Sequence, residues 1–99
     1  MKLTSKQRAY LKSLASNLDV IVHIGKASLT TEVLDSIVEA LDKRELIKVG
    51  VLKNCIDEPK EIAIAISENI DVTVVQVIGK KIVLYKPKKK DPVILLPRD

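Results

Sequence analysis

A chain of 99 residues with 46% hydrophobic and 30% charged side chains can fill one core and keep a solvated surface, which excludes a disordered polymer and points to a single globular domain. One cysteine, Cys55, and one histidine, His23, exclude an internal disulfide framework and a Cys/His zinc set. The net charge of +4 hides a separation of signs: residues 1–28 carry five bases against Asp19, residues 29–78 five bases against ten acids, and residues 79–99 seven bases against Asp91 and Asp99.

In chain order, Thr4 followed by Gln7 has the spacing of a capping box, and Gln7, Tyr10, Leu11, Leu14 and Leu18 recur at helical intervals, which predicts an amphipathic helix over 5–16. Its other face carries Ser5, Arg8, Lys12 and Ser16, two bases that project together. The β-branched run Val20-Ile21-Val22-His23-Ile24, closed by Gly25, predicts a buried strand. A second helix over 30–43 follows from the stripe Val33, Leu34, Ile37, Val38 and Leu41, with Ser28 or Thr30 as its cap. Its acids Glu32, Asp35, Glu39 and Asp42 form one outward stripe, the pattern of a solvated face rather than of paired catalytic carboxylates. Residues 45–51 read as a strand, and Asp57-Glu58-Pro59 as the start of a helix; over 61–70 Ile62, Ile64 and Ile66 alternate like a strand while Ile62, Ile66 and Ile70 keep helical spacing, and the segment is read as helix. Two β-rich runs, 72–78 and 81–86, flank Gly79-Lys80, a connection suited to a tight type II′ hairpin. The last apolar run, 93–96, is framed by Pro92 and Pro97 and fits either an edge strand or a packed tail.

The order α-β-α-β-α-β-β predicts an α/β two-layer sandwich on a mixed four-stranded sheet, with an antiparallel terminal hairpin. No apolar run approaches the roughly 18–20 residues of a membrane span, and the opening Met1-Lys2-Leu3-Thr4 lacks the apolar stretch of a secretory signal, so the expectation is a cytoplasmic protein without a membrane partner.

Between the first strand and the second helix, Gly25-Lys26-Ala27-Ser28 opens onto a helix N-terminus. Unpaired backbone N–H groups and the positive end of the helix dipole favour an anion there, Gly25 permits close backbone approach, Lys26 adds charge, and Ser28 offers a hydroxyl. The alternative is a turn and cap with no ligand. The spacing is neither that of a nucleotide P-loop nor of a dinucleotide fingerprint, so no cofactor or small-molecule substrate is expected. With Tyr10 and Tyr85 the only aromatics, stacking of successive bases on aromatic platforms is not expected, and binding to a nucleic acid would be mainly to phosphates, 2′-hydroxyls and shape. His23 within an apolar strand and Cys55 in a loop are the only nucleophile or base candidates and are not neighbours in sequence, so no enzyme is expected.

Four ordered blocks, Leu3-Thr4-Ser5-Lys6-Gln7-Arg8 with 11–15, residues 22–30, residues 45–49, and residues 75–80 with 82–87, make the chain resemble the YhbY family, the stand-alone CRM (chloroplast RNA splicing and ribosome maturation) domain. The resemblance implies an RNA-binding protein with a fold similar to the C-terminal domain of translation initiation factor three, linked in bacteria to precursors of the large ribosomal subunit. It places the family's GxxG loop on Gly25, Lys26, Ala27 and Ser28, with Ser28 where glycine is usual, and implies that the bases of the first helix and the C-terminal hairpin lie near it. The expected phosphate contacts are Lys6, Arg8, Lys12, Lys26, Lys80, Lys81, Lys86 and Lys88, in a monomer with residues 88–99 as a basic tail. The competing reading is a protein-interaction adaptor whose acidic middle meets a basic, ribosomal partner.

Overall fold

A computed structural model describes residues 1–98. Its elements run α1 (Ser5–Ala15), β1 (Val20–Ile24), α2 (Thr31–Arg44), β2 (Leu46–Val51), α3 (Pro59–Asn69), β3 (Thr73–Ile78) and β4 (Lys81–Tyr85). The sheet order is β1-β2-β4-β3. β1 and β2 are parallel, whereas β4 is antiparallel to both β2 and β3, so β4 inserts between two strands that run the same way. The expected element order and mixed sheet are therefore present.

Local chemistry explains the boundaries. Thr4 and Gln7 form the reciprocal capping box at α1, each side chain bonded to the other's backbone N–H at 3.1 Å. Thr30, not Ser28, caps α2 by accepting from the Val33 N–H. Pro59 occupies the first turn of α3, where a missing N–H costs nothing. Gly79 has φ +56° while Lys80 does not enter the positive region, the φ signature of a type II′ turn.

The sheet sorts its side chains by parity. Val22, Ile24, Ile47, Val49, Val51, Ile82 and Leu84 face α2 and α3 and pack on Ile37, Leu41, Ile62, Ala63 and Ile66. This is the expected sandwich. The structure adds a third, partial layer: Leu46, Val75, Val83 and Tyr85 point to the opposite face, where they meet Leu3, Leu11 and Ala15, with Ile94 and Leu96 of the C-terminal segment packed alongside. The apolar run near the C-terminus is thus a packed tail rather than an edge strand. α1 lies over β2 and β3, and at the β1 end of that face His23 is exposed.

Glu45, read from sequence as the first strand residue, is instead the cap that ends α2, with φ +63° and its N–H on the Leu41 carbonyl. Its side chain is fully buried. The carboxylate accepts the backbone N–H groups of Lys88 at 2.7 Å, Val93 at 2.7 Å and Ile94 at 2.8 Å, so residues 88–94 are clamped to the body of the domain.

Candidate nucleic-acid interface

A groove of about 440 Å³ lies between the C-terminal half of α1 and the β3–β4 hairpin. α1 supplies Lys12, Ala15 and Ser16, β2 supplies Lys48, and the hairpin supplies Gln76, Ile78, Gly79, Lys80, Lys81 and Val83. Four lysines and no carboxylate line it. Among the described residues the one ion pair joins Lys43 to Glu39 on exposed α2, so the groove lysines keep their charge for an external anion.

The Gly25–Ser28 loop lies at the same end of the sheet. The Val51 N–H donates to the Lys80 carbonyl at 2.7 Å and the Leu52 N–H to the Ile24 carbonyl at 2.8 Å, which laces the hairpin turn, the end of β2 and the start of the loop together. The loop is a turn closed by the Ser28 N–H on the Gly25 carbonyl at 2.9 Å, with Lys26 and Ala27 exposed at its tip. Ser28 holds φ +57°, a left-handed conformation that glycine adopts freely. Its hydroxyl donates to the Asp57 carboxylate, so it is aimed toward α3 and not into the groove.

Of the other expected contact residues, Lys12, Lys80 and Lys81 meet in the groove, with Lys26 nearby at the loop tip. Lys86 and Lys88 do not join them: β4 runs away from the hairpin, and both residues lie at its far end, beside Leu41 and Asp42 of α2. Lys6 sits in the first turn of α1, at that same far end, where Thr73 bonds the Met1 carbonyl. Arg8 is half-buried and donates to the carbonyls of Val74 and Val75, the latter at a register shift in β3. Its Nη1 therefore closes a bulged sheet edge. Lys48 is the groove residue that sequence reading missed. Its signal was present, since Ile47, Val49 and Val51 alternate as core and leave Lys48 on the other face.

The two reactive candidates are separated by the sheet. His23 is exposed on the face of α1, and Cys55 is buried in the core under α2 and α3.

A mixed sheet roofed by acidic helices on one side and carrying an unneutralised lysine groove on the other defines a small polyanion-binding α/β domain. The model of the CRS1 / YhbY (CRM) domain matches residues 3–86, and the chain belongs to that family. It is 42% identical over 95 residues to the probable RNA-binding protein YqeI of Bacillus subtilis, covering 96% of this chain and 99% of that one. A Haemophilus influenzae RNA-binding protein is 40% identical over 96 residues, covering 97% and 96% of the two chains. The solution structure of SAV1595 from Staphylococcus aureus superposes with a TM-score of 0.81 at 46% identity, covering 97% of this chain and all of that one.

Proposed function

We propose that this protein is a non-catalytic RNA-binding module that engages ribosomal RNA during assembly of the large ribosomal subunit. The observation that carries the reading is the carboxylate-free groove of Lys12, Lys48, Lys80 and Lys81, at the same end of the sheet as the loop that bears Lys26. Phosphates are its natural occupants, because each bound phosphate releases condensed counterions. The names of the relatives from Bacillus subtilis and Haemophilus influenzae support RNA as the polyanion, and the ribosomal assignment is what the resemblance to the YhbY family implies. Separation of His23 from Cys55 by the sheet supports a binding role over a catalytic one.

The test is the salt dependence of binding to large-subunit ribosomal RNA. Affinity falls steeply with salt in the wild type, and Lys12→Ala with Lys80→Ala lowers the log–log slope by about two. A slope unchanged by the pair removes the groove from the interface. Sedimentation of cell extract tests the destination: co-migration with large-subunit precursors at low salt, lost at high salt, is the expected pattern.

A second surface favours an added protein contact. Glu32, Asp35, Glu39 and Asp42 are all exposed on α2, on the layer opposite the groove, and suit a basic ribosomal partner. A partner retained after nuclease digestion identifies that contact.

A further inference from the structure

The groove face of the sheet can be laid out from its register. His23 pairs with Gly50, Gly50 with Lys81, and Lys81 with Ile78, so these four residues make one row across all four strands. The next row, closer to the middle of the sheet, runs Val20, Lys48, Val83 and Gln76. The lysine groove occupies the β2–β4–β3 part of both rows. At the β1 end the row finishes on His23, exposed and two residues before Gly25.

Gly50 decides how that end is built. A β-carbon on it would come within 2.9 Å of Val20 Cγ1 and 3.6 Å of His23 Cδ2, the first a clash. Because residue 50 has no side chain, Val20 closes over β2, and the Cδ2 edge of the His23 imidazole lies beside that position at ordinary contact distance while the residue stays exposed. Across β2 from it stands Lys81, about two strand spacings or roughly 10 Å away. On its other side the chain turns into the loop that carries Lys26.

We infer that His23 is a stacking site for a single unpaired RNA base, whose flanking phosphates are held by Lys48 and Lys81 on one side and Lys26 on the other. This rests on the RNA-binding reading and extends it from phosphates to a base. Histidine rings stack on splayed bases, and stacking tolerates any base because each has a π-face. Val20 beside the ring supplies apolar surface to the same base, and the lysines supply the charge complement that the base's own strand needs. A base held in a duplex has no free face to offer, so the site selects single-stranded segments.

Fluorescence anisotropy with a labelled single-stranded RNA of about eight nucleotides and a duplex of the same sequence tests it. His23→Ala weakens single-strand binding about fivefold or more with the salt slope and the duplex affinity unchanged. His23→Phe, which keeps a flat ring, restores it. Equal single-strand affinity in wild type and His23→Ala, or an equal loss on both probes, overturns the stacking site. Salt-dependent binding that still responds to Lys12→Ala with Lys80→Ala then leaves the RNA reading standing. A wild type that binds neither probe overturns both.

Discussion

Glu45 carries the largest local departure from the habits of its residue type. A non-glycine residue at positive φ costs on the order of 1 kcal/mol, and a buried carboxylate costs more unless its oxygens are satisfied. Both costs are met by one arrangement, in which the backbone turn that ends α2 aims the carboxylate at three N–H groups of the C-terminal segment. Burial pushes the Glu45 carboxyl up, but the three N–H donors and the charge of Lys88 outweigh it and hold the group below the ordinary glutamate value of 4.5. Tyr85 moves the other way, its phenol raised by burial and by the charge of Glu45. Since the folded carboxyl titrates below the unfolded one, its stabilisation is complete above about pH 4.5 and is lost as pH falls through the depressed folded value. Glu45→Gln keeps one acceptor oxygen for Val93 and Ile94 but sets an amide N–H₂ against the Lys88 N–H, and costs about 2–3 kcal/mol at neutral pH. Urea unfolding against pH checks it: the gap between wild type and variant narrows on acidification, and a gap constant from pH 7 to pH 3 contradicts the ionised clamp. At Ser28 the left-handed backbone makes a β-branched residue the sharper probe. Ser28→Val costs about 1–2 kcal/mol, whereas Ser28→Gly is near neutral because relief of the backbone offsets the lost bond to Asp57.

Within α1 the helix separates structural from binding residues by position. Leu11 and Ala15 are buried against the sheet, Arg8 closes the bulged edge of β3, and Lys12 with Ser16 borders the groove. Thermal unfolding distinguishes these roles. Arg8→Ala costs about 1–2 kcal/mol through two carbonyls left without their charged donor, and Leu11→Ala about 2–5 kcal/mol through its cavity. Lys12→Ala leaves the midpoint unchanged and lowers only RNA affinity. The helical period placed Leu11 inward and Lys12 outward from sequence. Arg8, on the same predicted outer face as Lys12, turned out to be tied to β3, because its long side chain reaches a sheet edge brought near only by folding.

Over the whole molecule the charge separation runs through the layers. Acids on α2 face one side, the groove lysines the other, and Lys86, Lys88 and Lys89 gather in a second basic region at the far end of β4, about 16 Å of strand away. A short RNA seated in the groove does not reach that region. Lys86→Ala with Lys88→Ala therefore leaves the affinity of a four-nucleotide probe unchanged and weakens a long one, while Lys12→Ala with Lys80→Ala weakens both; equal sensitivity of the short probe to both pairs contradicts the two-region layout. The C-terminal segment belongs to the fold, not to a free tail. Removing residues 88–98 takes away all three donors to Glu45 and the contacts of Ile94 and Leu96, and lowers Tm by roughly 10–20 °C.

Capping, side-chain period and turn chemistry are local properties of neighbouring residues, so the element order, the hairpin turn and the excess of bases at both ends were legible along the chain, whereas α3 was separated from a strand only by choosing between two isoleucine periods. Tertiary structure alone decided which bases share a surface. Strand order put β4 between β2 and β3, which brought Lys12, Lys48, Lys80 and Lys81 into one groove and carried Lys86 and Lys88 to the opposite end. It also turned Glu45 inward to hold a segment more than forty residues away, and left His23 uncovered beside a glycine. Contacts between residues far apart in the chain depend on strand order and register, and neither is set by the period or composition of any single segment.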